Sequence, residues 1–157
     1  MTDQELSRET DQELSREFHA IYDAWGQAIV DHDIQWFEER FADNFLGTAQ
    51  PWPTLVVDRE QMLELQRNNV KMDVEVLDVT AERYGDVVLA KGVIEYREEE
   101  FKAGATIGEG MPTGEDLAGL VNGNRVLYIG AWRRNGEIWQ IFDHHMVGIV
   151  EGFEAVT

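Results

Sequence analysis

Residues Val126–Val147 read VLYIGAWRRNGEIWQIFDHHMV, and this stretch decides the fold. Asn135 and Gly136 are a strong signal for a tight hairpin turn, because both residue types tolerate the positive φ angles that such a turn needs. The runs on either side are rich in aromatic and β-branched residues, which are typical of strands in a buried sheet. The sequence therefore predicts a long hairpin whose second strand carries the ionisable run Asp143–His145.

Length and composition favour one soluble domain. The chain has 157 residues and no cysteine, so we expect a single domain over residues 1–157 with a real core and neither disulfides nor thiolate chemistry. No apolar run is long enough to span a bilayer, and the polar, acidic N-terminus does not resemble a signal peptide. These features predict a cytoplasmic protein without a membrane partner.

The charge balance is strongly acidic. Thirteen basic residues stand against 31 acidic ones, a formal net charge of −18. A field of that sign repels nucleic-acid phosphates and anionic membrane surfaces, so neither is expected as a partner. Only three basic residues are lysines, Lys71, Lys91 and Lys102. Salt adaptation is one explanation for such a surface, and a high-GC genome that replaces Lys with Arg is the other.

The N-terminus carries a tandem repeat of eight residues, Thr2–Glu9 and Thr10–Glu17. Each copy begins with the Thr-x-x-Glu pattern of a capping box, so Thr2 or Thr10 could begin the first helix. Two copies are too few for a repeat architecture. Residues 1–13 are therefore interpreted as a duplicated extension of a helix whose apolar face begins at Leu14 and includes Phe18, Tyr22 and Trp25.

Further helices and strands follow from capping and periodicity. We predict a break at Asp31–Asp33, a second helix, a short strand at Asn44–Ala49 and a loop containing Pro51–Pro53. Asp58 should cap a third helix, Arg59–Asn68. The period then changes to two, and this predicts strands at Met72–Arg83 and Asp86–Glu98, with a β-bulge in the first where the apolar phase shifts after Val76.

Residues 101–123 form a Gly-rich insertion, within which Thr113 could cap a short helix through Val121. Loops of this length in compact domains are usually functional or disordered. We predict a partly ordered lid over a pocket, which moves when a ligand binds. Just before the insertion, Glu98–Glu100 is interpreted as a solvated strand end.

The chain resembles the nuclear transport factor 2-like superfamily, which includes ketosteroid isomerase, scytalone dehydratase, limonene epoxide hydrolase and the SnoaL-like polyketide cyclases. The resemblance covers about Leu14 to Ile149. It rests on these motifs: Phe18-x-x-x-Tyr22-x-x-Trp25, Asp31-His-Asp33, Phe41-Ala-Asp-Asn-Phe45, and the ending from Trp132 through the Gly-containing turn and Trp139 to His145. It implies an α+β cone, in which a curved, mostly antiparallel sheet is covered on its concave face by three N-terminal helices.

The resemblance also implies a deep, largely apolar pocket. Regular alternation on the last strand places Gln140, Phe142, His144 and Met146 on one face and Trp139, Ile141, Asp143 and His145 on the other. By resemblance, His144 faces the pocket and acts as general acid or base, Tyr22 polarises a substrate oxygen, and Asp43 is an outside candidate for the base. The expected ligand-binding residues are Trp25, Phe45, Trp52, Tyr96, Phe142 and Met146.

Each functional interpretation has a structural alternative. His144 could be a structural histidine bonded to a neighbouring strand, and Tyr22 could be core with a satisfied hydroxyl. We expect no metal and no cofactor, because the four histidines do not share a ligand spacing and the Gly-rich loop lacks both a nucleotide-loop pattern and a lysine.

Two functions stay open. The first is a cofactor-independent isomerase, cyclase or dehydratase acting on a small apolar carbonyl compound. The second is a non-catalytic ligand-binding or dimerisation module. In either case both faces of Val126–Trp132 need cover. We therefore expect a homodimer that packs through the outer face of the sheet, including Trp139, with Trp132 as a further candidate.

Overall fold

Four helices and six strands make up residues 3–50 and 52–154, the part of the chain that the computed structural model describes. In chain order they are α1 Asp3–Val30, α2 Ile34–Arg40, β1 Phe41–Ala49, β2 Trp52–Asp58, α3 Arg59–Arg67, β3 Asn69–Tyr84, β4 Val87–Phe101, α4 Gly114–Val121, β5 Asn124–Asn135 and β6 Ile138–Gly152.

Helix α1 is continuous from the repeated segment through the residues that form its apolar face. Thr10 lies inside it and does not cap it, and Thr2 lies outside the described residues. The helix buries Leu14, Phe18 and Tyr22. It ends, as predicted, at the Asp31–Asp33 break, where His32 has a left-handed φ of 55° and the Asp33 side chain accepts a hydrogen bond from the Trp36 amide to start α2.

The capping residues in the sequence predict the starts of helices α3 and α4 correctly. Asp58 and Gln61 form a reciprocal capping box at the start of α3, and Thr113 and Asp116 form another at the start of α4. Both helices begin where the sequence predicts, because in each case the side chains satisfy amides that the first helical turn leaves free. The expected loop at Pro51–Pro53 is only partly right, since Trp52 already begins strand β2.

The six strands form one sheet in the order β2-β1-β6-β5-β4-β3. Every neighbouring pair is antiparallel except β1 and β6, which are parallel. Helix α1 packs against β3 and β4, and α4 packs against β4 and β5. The predicted α+β class with a mixed, mostly antiparallel sheet is confirmed.

Irregular pairing decides which side chains face the helices. The predicted bulge in β3 is confirmed, because the register with β4 shifts between Val76 and Asp78. The closing hairpin is also confirmed, but its turn lies one residue later than predicted. Asn135 still pairs with Ile138, and the turn is made by Gly136, at φ 65°, and Glu137.

Trp132 and Trp139 belong to the core, so their expected place on an outer dimer surface is wrong. Trp132 is 0% exposed and Trp139 is 5% exposed. The Phe18 ring lies 5.3 Å from the Trp132 ring and 5.2 Å from the Trp139 ring. The Trp139 indole N–H donates to Glu17 at 2.9 Å. The register shift between Ala131 and Trp132 skips one residue on β6, and this is the reason that simple alternation from His144 misplaced Trp139.

Candidate functional site

A cavity of about 130 Å³ lies between the concave face of the sheet and helices α1, α3 and α4. Its volume is close to the ~150 Å³ that can hold benzene in a protein core. Most of its wall is aliphatic or aromatic and includes Trp25, Met62, Met72 and Met146. An apolar wall with a few polar groups directed inward is the usual character of a small-molecule site.

The polar part of the wall is small. It consists of Tyr22, Thr48, Gln66, Asn69, Tyr96, Glu99, Tyr128 and His144. Lysine and arginine are absent from the lining residues that the structure describes.

His144 enters the cavity because of the irregular pairing on β6. In the pairing of β5 with β6, Trp132 is opposite Ile141 and Ala131 is opposite Asp143. Phe142, which lies between them on β6, therefore has no partner on β5. This unpaired residue puts His144 on the same side as Ile141, and His144 is 9% exposed. His145 takes the opposite side, where Asp143 lies 2.9 Å from its Nε2 atom.

Burial sets the protonation of His144. The ring stacks on Tyr128 at 5.2 Å and lies 5.3 Å from Trp25. Its Nδ1 atom is buried without a hydrogen-bond partner among the described residues. Desolvation lowers the pKa of His144 to about 4, with the positive charge of a protonated His145 adding to the effect and Asp143 opposing it. His144 is therefore neutral at pH 7.

Tyr22 presents the second free polar atom. Its hydroxyl, like the indole N–H of Trp132, is buried without a partner of acceptable geometry within the described chain. Burial raises the pKa of Tyr22 to about 12, and the nearby Trp132 N–H opposes the shift. The hydroxyl reaches this depth because residue 130 is glycine, where a Cβ atom would stand 3.1 Å from it. Tyr22 thus keeps its proton and can donate it to a ligand.

Tyr96 and Tyr128 form a buried pair whose hydroxyl oxygens are 2.5 Å apart. Desolvation raises the pKa of both hydroxyls above the ordinary tyrosine value, and nearby Glu99 raises them further. Both hydroxyls therefore stay protonated. One donates to the other, which leaves one proton free for a third group.

Glu99 is the site residue that the sequence interpretation missed. Its neighbours Glu98 and Glu100 are exposed, as expected for a solvated strand end, but Glu99 lines the cavity. The register between β3 and β4 shifts where Asp73 pairs with Glu98 and Val74 with Tyr96. This bulge carries Glu99, and not Glu98, onto the face that Tyr96 occupies.

The Glu99 side chain is partly buried in the cavity, near the hydroxyls of Tyr96 and Tyr128. Among the described residues it has neither a hydrogen bond nor an ion pair, whereas its backbone amide donates to the Asn122 side chain at 2.8 Å. Desolvation alone raises the pKa of Glu99 to about 8. At pH 7 the acid is mostly protonated, and about one molecule in ten carries the charge.

Part of the insertion 101–123 closes the cavity. Ile107, Leu117 and Val121 line it, and the Gln61 side chain on α3 donates to the Ile107 carbonyl at 3.0 Å. The segment therefore has apolar contacts with the pocket and a polar tie to a neighbouring helix. Movement on ligand binding stays a prediction.

Several solved structures have a similar fold. A nuclear transport factor 2-like protein from Cytophaga hutchinsonii ATCC 33406 is 16% identical over 95% of this chain and 100% of that one, with a TM-score of 0.58. A nuclear transport factor 2-like superfamily protein from Salmonella enterica serovar Typhimurium LT2 is 11% identical over 87% and 92%, with a TM-score of 0.61. The chain has the nuclear transport factor 2-like fold.

Other solved structures with this fold carry different descriptions. One is a putative aromatic ring hydroxylase from Novosphingobium aromaticivorans, 14% identical over 91% of this chain and 92% of that one, with a TM-score of 0.57. At such identities the likeness concerns the nuclear transport factor 2-like fold alone. No protein-family model matches the sequence, and no curated protein matches it either.

The nuclear transport factor 2-like fold brings together five of the nine predicted site residues. Tyr22, Trp25, Tyr96, His144 and Met146 line the cavity. Their roles remain predictions, because the structure gives their positions and not their chemistry.

The other four predicted residues do not line the cavity. Asp43 is exposed on β1, a position that does not support a role as base within the pocket. Phe45 belongs to the core, and its ring stacks on the His144 ring with the centroids 6.4 Å apart. Trp52 packs beside Phe101 in a smaller cluster. Phe142 is on the outer face, under the Arg133 guanidinium at 4.8 Å.

No helix in residues 3–50 and 52–154 is long and apolar enough to cross a membrane. Within the same residues, no group of three or more His, Asp or Glu side chains is arranged to hold a metal ion.

Proposed function

We propose that this protein binds one small, mostly apolar molecule in the cavity. The observation that carries the proposal is a cavity with an aromatic and methionine wall, lined also by His144 and Tyr22, whose Nδ1 and hydroxyl atoms are buried without protein partners among the described residues. Buried polar groups without partners are costly. A ligand that supplies their hydrogen bonds removes that cost, and the volume suits a compound of about single-ring size.

A pair of neighbouring substitutions tests binding. Val76 lines the cavity, and Leu77, the next residue on β3, is 39% exposed. Val76→Phe should fill the space and abolish the thermal stabilisation that single-ring compounds give. Leu77→Phe should leave that stabilisation intact. Equal stabilisation of both variants would place the ligand elsewhere and refute the proposal.

Catalysis is the second candidate. It would make the protein a cofactor-independent isomerase, cyclase or dehydratase acting on a small apolar carbonyl compound. The supporting observation is that neutral His144 has a free Nδ1 atom in the same cavity as the protonated Tyr22 hydroxyl. His144 would take the proton from the carbon beside the carbonyl, while Tyr22 donates a hydrogen bond to the developing enolate oxygen. The proton then returns to carbon. Binding without chemistry is the alternative.

Deuterium exchange distinguishes these fates without knowledge of the natural substrate. In D₂O an active enzyme should place deuterium beside the carbonyl of a ketone such as acetophenone, and NMR detects the loss of the proton signal. Tyr22→Phe and His144→Gln should each slow the exchange at least tenfold, while Asp43→Asn should not change it. Exchange at the buffer rate in the wild-type protein would leave the binding module as the function.

We also propose a homodimer through the outer face of the sheet, with different residues from those first expected. On the central strands, Val93, Leu127 and Ile129 alternate with cavity-facing residues and are only half-buried, and Val147 on β6 is 40% exposed. These side chains form an apolar surface that a second copy would cover.

A further inference from the structure

Glu99 is the one carboxyl among the described residues that line the cavity, and it lacks a counter-charge there. Cations on neighbouring positions of the sheet are engaged outside the cavity. Arg97 and Arg125 both bind the Glu95 carboxylate, at 3.1 and 3.0 Å. Lys71 binds Glu98 at 2.7 Å. A cationic ligand could therefore supply the counter-charge of an ionised Glu99.

The rest of the wall suits a cation with an apolar body. The aromatic residues Tyr22, Trp25 and Tyr128 line the cavity, and the Tyr22 and Trp25 rings are nearly parallel at 6.4 Å. Aromatic faces attract ammonium groups, more strongly when water is excluded. Binding of an anionic ligand is disfavoured, because the described lining residues include no lysine or arginine. The net charge of −18 also repels anions.

We propose that the cavity takes a hydrophobic amine of about single-ring size, whose ammonium group pairs with the Glu99 carboxylate and whose apolar body packs against the aromatic and methionine wall. The inference rests on the proposed binding function and adds the charge of the ligand to it. It does not depend on whether the ligand is turned over.

A protonated Glu99 could instead donate a hydrogen bond to a carbonyl oxygen. The two ligand classes respond differently to Glu99→Gln, because glutamine keeps a hydrogen-bond donor of similar shape and removes the charge. Glu98→Gln is a matched control, since Glu98 is the exposed neighbour on the same strand.

The pH dependence has a definite sign. The titratable groups that line the cavity with Glu99 are Tyr22 on α1, Tyr96 on β4, Tyr128 on β5 and His144 on β6, and the amides of Gln66 and Asn69 line it as well. The tyrosines stay protonated and His144 stays neutral between pH 6 and 8. Glu99, with a pKa of about 8, is the group that changes charge. Since the carboxylate is the form that binds, amine affinity should rise from pH 6 to 8.

The experiment titrates ¹⁵N-labelled full-length protein with benzylamine, acetophenone and benzoate at pH 7.5 in 0.3 M NaCl, where surface attraction of cations is largely screened. The wild type should bind benzylamine most tightly and benzoate least. Glu99→Gln should weaken benzylamine binding at least tenfold and change acetophenone binding less than threefold. Glu98→Gln should change neither by more than twofold.

Three results would overturn the inference. Benzylamine that binds equally to wild type and Glu99→Gln would show that Glu99 is not its partner. Acetophenone that binds more tightly than benzylamine to the wild type would show a neutral ligand site and leave the binding function standing. If no probe binds the wild type, the amine inference and the proposed function both fail.

Discussion

The charge of Glu99 should make the stability of the fold depend on pH in an unusual direction. The pKa of its carboxyl rises from 4.5 in the unfolded chain to about 8 in the folded protein. Between pH 4.5 and about 8 the carboxyl is ionised in the unfolded chain but still protonated in the folded protein. The unfolded state therefore gains stability relative to the folded state as the pH rises through this range. The contribution of Glu99 to folding is therefore most favourable below pH 4.5 and becomes steadily worse up to pH 8.

The size of the effect follows from the pKa difference. Each pH unit between the two pKa values costs about 1.4 kcal/mol, so moving from pH 5.5 to 8.5 should cost about 3 kcal/mol. Water that enters the cavity reduces this figure, and we expect a difference of about 2–3 kcal/mol. Glu99→Gln abolishes the titration, so the variant should gain that amount over the wild type between the two pH values.

Urea unfolding followed by tryptophan fluorescence measures this double difference. The other carboxylates are common to both proteins and cancel. Glu98→Gln serves as the control, because this exposed carboxyl is paired with Lys71 outside the cavity. If the stability difference between Glu99→Gln and wild type were the same at pH 5.5 and 8.5, the carboxyl would not face an apolar cavity and the reasoning would be refuted.

Four other predictions concern the core, helix α4 and the outer face of the sheet. His144 should remain neutral down to about pH 4 in ¹⁵N NMR titrations, and titration near pH 6.5 would contradict its burial. Because the unfolded chain takes up this proton near pH 6.5, the folded state should lose stability as the pH falls from 6.5 towards 4. Gly130→Ala should destabilise the fold by about 1–3 kcal/mol, because the new Cβ would lie 2.9 Å from the Trp132 indole nitrogen. Gly119→Ala, where α4 leaves open space, should instead stabilise it by about 0.5–1 kcal/mol in thermal melts. Light scattering at micromolar concentration should give a dimer mass that Leu127→Glu reduces to the monomer, and a monomeric wild type would remove the dimer proposal.

Local signals in the sequence predict most of the fold, because the interactions that they report are local. The capping residues Asp58 and Thr113 satisfy amides three residues away, and they placed α3 and α4 correctly. The change of period after α3 predicted the long strands, and the apolar phase shift in β3 predicted its bulge after Val76.

The errors at the site come from bulges that local patterns did not show. On β6, strict alternation grouped Phe142 with His144, whereas the skipped residue opposite Trp132 separates them. On β4, alternation from Tyr96 would have placed Glu98 inward, and the bulge places Glu99 there instead. A shift of one residue exchanges the two faces of a strand. The signal for Glu99 was weak, because three consecutive glutamates fit a solvated strand end equally well.

The position of Asp43 shows the limit of inference by resemblance. The residue occupies a suitable place in sequence, but its side chain on β1 points to solvent. The carboxyl that lines the cavity is that of Glu99, on β4, which is separated from β1 by strands β6 and β5. Which acid reaches a pocket depends on long-range register, and neither propensity nor spacing along the chain reports it.

Methionine methyl groups offer the most direct test that the cavity is a ligand site. Met62, Met72 and Met146 line it. In ¹³C-methyl NMR spectra, titration with benzylamine or acetophenone should shift these three methyl signals saturably and at one common dissociation constant. If the three signals stay fixed while either compound binds, the cavity is not the binding site.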